Sequence, residues 1–275
     1  MKRRFFAVLL AGIFLLLTGC GAEEAVPQVS LPETEALPAL SAPAVVTEGQ
    51  PPEEDYDLPG EVMSLVQWHE RAAPMALLAQ TGEAALYGFS GDEDRILLRW
   101  GQTLAEFDWP YQTPRAVMPR LWQMDADGDG DEELVAICYV GSGTGVSIDQ
   151  LHIVEKNEDD TLTDFCFPQT LWQEDLSERL SVFVTEDRAF AVLGKELVEI
   201  SENLGDLDFS TITGIGTGDT SYFDVSPKEG LFFYGTARLT AESYAFGWLV
   251  ADLSAQVSYE NGTFSLSRFH LDSLE

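Results

Sequence analysis

From Met75 onward the chain alternates short apolar runs with compact polar turns. Met75–Gln80 and Ala84–Phe89 flank Thr81-Gly82-Glu83. Gly91-Asp92-Glu93-Asp94 turns into Arg95–Trp100, where Ile96, Leu98 and Trp100 alternate, and Gly101-Gln102 leads into Thr103–Trp109. Side chains on a strand point to opposite faces with period two, so this spacing predicts four short strands in a meander. Pro110, Pro114 and Pro119 separate it from Leu121–Met124. Beyond lie further expected strands at Leu134–Val140, Val146–Val154, Thr161–Phe167, Ser181–Thr185, Ala189–Leu193, Glu196–Ile200 and Leu231–Tyr234. Leu253, Ala255, Val257 and Tyr259 alternate up to Asn261-Gly262, a strong hairpin signal. The returning strand Thr263–Leu271 changes apolar phase between Leu266 and Phe269, which predicts a bulge. Two stretches read as short helices: Val62, Leu65, Val66 and His69 before Pro74, and Leu171, Trp172, Leu176 and Leu180 within Thr170–Leu180. Ser210–Thr220 is rich in Gly and Thr and fits no period.

One polar interruption carries chemistry. Asp125-Ala126-Asp127-Gly128-Asp129-Gly130-Asp131-Glu132-Glu133 sits between two expected strands. Calcium takes about six to eight oxygen ligands, several from carboxylates. Asp125, Asp127 and Asp129 at alternate positions of a tight turn can converge on one point. Gly128 and Gly130 permit the positive φ angles such a turn needs. The backbone carbonyl of Asp131 is the natural next ligand, and Glu133 can close the shell. An EF-hand closes with Glu at its twelfth position. Here that position is Ala136, and Leu134–Val140 is a continuous β-prone apolar run, so the loop feeds a strand. The competing reading is a solvated acidic turn, but five acids between Asp127 and Glu133 repel one another without a cation.

The loop resembles those of FG-GAP and VCBS-type repeats, the integrin-like β-propeller blades, in which a D-x-D-G-D-G-x-x-E/D-L loop links two strands of one blade. The resemblance covers about ten residues and implies Asp125, Asp127, Asp129 and Glu133 as side-chain ligands of Ca2+, with Asp131 as a carbonyl ligand. With the strand pattern it gives the expected fold: mainly β, antiparallel meanders, propeller-like, with one or two short helices.

Composition changes the picture at the N-terminus. Lys2, Arg3 and Arg4 precede an apolar run, Phe5–Leu17, too short and wrongly flanked for a stable span. It ends in Leu17-Thr18-Gly19-Cys20-Gly21, which looks like a bacterial lipobox. Residues 1–20 are therefore expected to be a lipoprotein signal peptide with Cys20 acylated, which places the protein in the cell envelope, lipid-anchored on the outer side of the cytoplasmic membrane, or in the periplasm or outer membrane of a two-membrane envelope. The alternative is an ordinary secretory peptide with a chance Cys. Residues 21–60 hold seven of the 13 prolines and no Lys or Arg, and read as a disordered Pro/Glu-rich tether. That leaves 61–275 as the β-rich domain.

The net charge is −32, with 15 basic against 47 acidic residues. This argues against nucleic acid, whose recognition starts from a basic surface, and confines membrane contact to the lipid at Cys20. Export allows a disulfide between Cys138 and Cys166, and buried free thiols are an equal alternative. Gly141-Ser142-Gly143-Thr144-Gly145 lacks the Lys-Ser/Thr ending of a phosphate loop and reads as a wide hairpin or loop beside the calcium site. His69, His152 and His270 belong to no motif with a mechanism, and His152 should face away from Leu151 and Ile153. Two functions compete: a calcium-stabilised binding module for a protein or glycan, and a lipid-anchored hydrolase acting on polysaccharide. Facing carboxyls in a cleft outside the loop would favour the second; exposed aromatics on an open β surface would favour the first.

Overall fold

The computed structural model describes residues 36–274 other than 65, 66, 68, 69, 71, 72, 112–116, 227 and 243. Cys20, the expected signal peptide and residues 21–35 lie outside the described residues, as do Leu65, Val66 and His69 of the helix expected before Pro74, while Val62 makes an isolated parallel bridge to Leu77. The described part is mainly β, in a ten-stranded, a four-stranded and a three-stranded sheet.

The four-stranded sheet is the expected meander. Strands β3 (Met75–Thr81), β4 (Ala84–Phe89), β5 (Asp92–Trp100) and β6 (Thr103–Phe107) pair antiparallel in chain order, the strand count and connectivity of one blade. The ten-stranded sheet curls into a nearly closed barrel. Its central path runs through β17 (Thr263–Ser273), β16 (Tyr244–Glu260), β15 (Gly230–Ala241), β14 (Ile212–Ser226), β9 (Val146–Lys156) and β10 (Leu162–Cys166), with β8 (Glu133–Gly143) on the other edge of β9 and β7 (Arg120–Met124) beyond it.

The piece that brings the two ends of this path together comes from the stretch that reads as a tether. Strand β1 (Leu40–Pro43) pairs with β17, and β2 (Val45–Glu48) pairs with β10. Only Ala44 separates them, and its N–H donates to the Gly262 carbonyl at 2.8 Å. One extended strap thus joins both edges. The disordered-tether reading of 21–60 is corrected for its second half, where sheet pairing begins at Leu40 and not near Glu61. Proline misleads there because it also suits strand ends and edges, where no ladder N–H is needed. Leu40 is buried opposite Leu266, and Leu37, Ala42 and Ala44 pack on the same core. Farther on, Tyr56 and Leu58 cover the outer face of the meander. Tyr56 meets Phe89 edge-on at 5.3 Å and donates to Glu106 at 2.9 Å.

Strand β8 explains its own unbroken apolar run. Val135 and Ile137 enter the barrel core, while Leu134, Ala136 and Cys138 enter a second core shared with the meander. A strand buried on both faces has no polar phase to show. The one complete α-helix among the described residues, α1 (Gln169–Arg179), buries Leu171, Trp172 and Leu176 in the barrel core. It leads into the three-stranded sheet β11 (Leu180–Val184), β12 (Ala189–Leu193) and β13 (Glu196–Glu199). The bulge in β17 falls where the phase shift puts it: Ser254 faces His270 and Gln256 faces Ser267, so β17 carries one extra residue, with Arg268 at φ 53°. No helix among the described residues is long and apolar enough to cross a membrane.

Candidate functional site

The acidic loop connects β7 to β8, with Met124 and Glu133 as the last paired residues. Gly128 and Gly130 stand at φ 84° and 101° with open space where a Cβ would be, so conformation and not crowding demands glycine there. The aspartates fold the loop upon itself. Asp125 accepts from the Gly128 N–H at 2.6 Å, Asp127 from the Asp129 N–H at 3.1 Å, and Asp129 from the Asp131 N–H at 2.8 Å. Glu133, only 5 % exposed, reaches back to accept from the Ala126 N–H at 2.7 Å.

Asp125, Asp127 and Glu133 each bring a carboxylate oxygen within 4.8 Å of the others, close enough for one ion. Asp129 and Asp131 belong to the same loop but not to this converging set. Burial pushes the Glu133 carboxyl up to about 7. The Ala126 N–H opposes the shift, and repulsion from Asp127, Asp129 and Asp125 adds to it. A cation set among the three oxygens would reverse that repulsion, because an ion is the largest local charge in such a site.

The loop forms one wall of a cleft of about 990 Å³, whose other walls are the β9–β10 turn and the Asn261-Gly262 hairpin, with Trp100 and Phe165. Eight acidic side chains line it against one lysine, Lys156, which Asp160 holds at 2.8 Å. Such a field draws cations and repels phosphates. The glycines at 141–145 lie elsewhere. They end β8 in a tight hairpin, with Gly143 opposite Val146 and Gly145 at φ 73°, ten residues or roughly 30 Å along the strand from Glu133.

The cysteines are free and buried. Cys138 lies on β8 and Cys166 on β10, with β9 between them. Two strand spacings separate them by roughly 10 Å, beyond the reach of a disulfide. The disulfide alternative is therefore set aside.

A further polar group escaped the sequence reading. His152 faces away from Leu151 and Ile153, as its phase requires, and enters the second core. There its Nδ1 meets Asp164 at 3.0 Å, the Trp109 indole N–H donates to the same carboxylate at 2.8 Å, and the Trp109 ring stacks on the imidazole at 4.1 Å. His152 and Asp164 are each 2 % exposed, and His152 Nε2 has no hydrogen-bond partner among the described residues. The available signal was an acid and a histidine on otherwise apolar strand faces, but the register that pairs them is not written in either segment. Sealed between two sheets, the cluster joins layers and offers no opening to a substrate.

Comparison with protein-family models, with curated proteins and with solved structures finds no match to this chain.

Proposed function

We propose that this protein is a membrane-anchored surface lipoprotein whose β domain binds Ca2+ through the 125–133 loop and acts as a binding module. The observation that carries the reading is the meeting of Asp125, Asp127 and Glu133 within 4.8 Å at the rim of an acidic cleft. Calcium there is structural: it relieves repulsion at the entrance to β8, the strand that both cores share. Exposed Tyr222 and Tyr234 on an open β surface support recognition as the task.

The hydrolase reading needs facing carboxyls in a cleft outside the loop. The raised carboxyl in the large cleft, Glu133, belongs to the loop. Asp252 and Asp272 face each other on β16 and β17, and burial followed by Asp272 repulsion raises Asp252. Asp272 is 68 % exposed on an open sheet face, where no wall positions a scissile bond.

Thermal unfolding of the full chain tests the calcium component. A ligand that binds only the native state adds RT ln(1 + [L]/Kd), about 1.4 kcal/mol at tenfold excess over Kd. Melting should rise by several degrees in millimolar calcium over chelator, magnesium should substitute poorly because it prefers a smaller octahedral shell, and Asp127→Ala should remove most of the shift. Identical melting in calcium and chelator, with no calcium in the purified protein, would refute it. The anchor is tested by Cys20→Ala, which should release the protein from alkaline-washed membranes; equal retention of both forms would refute acylation.

A further inference from the structure

The outer face of the barrel carries a feature that the calcium loop does not use. Tyr222 on β14 and Tyr234 on β15 are cross-strand partners, and their neighbours Phe223 and Phe233 point into the core. The tyrosines point outward, 47 % and 40 % exposed, with ring centroids 5.8 Å apart. Beside them is a depression of about 190 Å³, bordered by Ser147, Thr220, Thr236 and Asp252. Thr220 and Thr236 share a hydroxyl contact at 2.6 Å. Arg120 fixes the shelf. Its guanidinium stacks on Tyr222 at 4.8 Å, donates to the Tyr222 hydroxyl at 3.1 Å and to the Phe223 carbonyl at 3.0 Å, and pairs with Asp149 at 2.7 Å. A ring held in this way loses little freedom when a ligand stacks on it.

We propose that this shelf is a subsite for one neutral pyranose ring of a polysaccharide. Four properties select that occupant. Aromatic faces carry negative charge density and attract the polarised C–H face of a sugar ring. Thr220 and Thr236 share one hydrogen bond and keep one hydroxyl proton between them to donate, Ser147 donates to the Tyr139 hydroxyl at 3.3 Å and keeps lone pairs to accept with, and Asp252 accepts only, which matches the mixed donors and acceptors of sugar hydroxyls. A proline-rich peptide, the other ligand of tyrosine shelves, has carbonyl acceptors and no proline N–H, so Asp252 would find no donor on it. Charge removes the acidic sugars. The guanidinium of Arg120 is already taken by Asp149, Arg238 is paired with Asp219 at 2.8 Å, and Asp272 lies opposite Asp252. The volume is below the roughly 300–1,000 Å³ of pockets that enclose a whole small ligand, which suits one residue of a longer chain. The shelf is also remote from the acidic cleft: β14 meets β9 at Val146–Ile148, whereas the cleft takes β9 at Glu155 and Lys156.

The inference deepens the binding-module reading, and rests on it only in taking recognition as the domain's task. The test uses the full chain in a non-glycosidic detergent and saturation-transfer NMR with cellohexaose, maltohexaose, N-acetylchitohexaose, an oligogalacturonate and decaproline. At least one neutral hexasaccharide should bind with Kd on the order of 1 mM, as one shallow subsite implies. Tyr234→Ala should weaken that binding about tenfold by removing the stacked face, and Tyr234→Phe should retain it. Asp252→Asn, which leaves both rings in place, should weaken it severalfold, and the oligogalacturonate should bind less well than the neutral sugars. The inference is overturned if no neutral hexasaccharide binds, if binding is indifferent to both Tyr234→Ala and Asp252→Asn, or if decaproline binds and the sugars do not. Chelator separates the two readings. Sugar binding that vanishes in chelator while the far-ultraviolet spectrum holds would put the sugar at the loop and overturn the shelf. Tyr234-dependent binding without any calcium shift would retain the shelf and reject the loop.

Discussion

Leu40→Ala separates a strap from a tether. If residues 36–48 were unstructured, truncating Leu40 would change stability by less than about 0.5 kcal/mol, as at an ordinary exposed site. In the folded protein Leu40 is 3 % exposed and stands opposite Leu266, itself fully buried. Truncating a buried leucine removes its transfer free energy and leaves a cavity, together about 2–4 kcal/mol. The strap is a short strand with freedom to settle, so the lower half of that range is expected. For a domain of this size each kcal/mol lowers the melting temperature by roughly 2–4 °C, and a loss of several degrees should follow. The assay is equilibrium urea unfolding followed by tryptophan fluorescence and far-ultraviolet circular dichroism, with Val45→Ala as control because Val45 is 58 % exposed on the same strap. The midpoint should fall for Leu40→Ala with the slope unchanged, and Val45→Ala should stay near wild type. A Leu40→Ala change under about 0.5 kcal/mol would show that the strap contributes nothing to the barrel and refute this account of its closure.

Two further outcomes test the interior. Asp164→Ala leaves the Trp109 indole N–H and the facing His152 nitrogen without their partner inside a core, at about 1–3 kcal/mol each, whereas Trp109→Phe keeps a ring and removes one donor for about 1 kcal/mol; chemical denaturation showing no larger loss for Asp164→Ala would deny the cluster its role in joining the sheets. Burial raises the Asp149 carboxyl to about 6 although Arg120 and the Phe223 N–H oppose it, so the folded state holds a proton that the unfolded state releases near roughly 3.9. This contribution is full below the lower value and is lost as pH rises through about 6; Asp149→Asn should therefore flatten the fall in stability between about pH 4 and 7 by about 2 kcal/mol, and an unchanged slope in unfolding midpoints across that range would refute the assignment.

The sequence was most legible where local rules and tertiary packing agree. Asn261-Gly262 makes its hairpin because both residues take positive φ, 49° and 71°, which an Asn-Gly turn tolerates. Leu253, Ala255, Val257 and Tyr259 all face the barrel core, as their alternation states. Leu171, Trp172 and Leu176 do the same at helical spacing. Legibility fails where packing is supplied by distant residues. The Gly/Thr stretch that fits no period belongs to the long β14. There Gly216 lies 3.4 Å from the Ser177 hydroxyl on α1 at its would-be Cβ, and a Cβ at Gly218 would strike Thr236, so close approach replaces apolar side chains. The loop was legible as a list of ligands, but its closure through the buried Glu133 and its place on the rim of a cleft depend on β9, β10 and the 261–262 hairpin. The strap was illegible because its partners, β10 and β17, lie more than a hundred residues away.

The two buried cysteines carry a consequence for how the protein meets oxidants. Cys138 sits in the core shared with the meander and Cys166 is buried on the same face of the sheet, and burial is the first cause that pushes both thiols up, Cys166 to about 12. Thiolate is the reactive species, so such a thiol, held far less in that form at neutral pH than a free one, reacts slowly even before its inaccessibility is counted. In the unfolded chain both advantages vanish together. Oxidants therefore meet the Cys138 sulfur almost solely through openings that part the barrel from the meander. The rate at which Cys138 is alkylated under native conditions then becomes a clock for that opening, an internal gauge of how often the two sheets come apart.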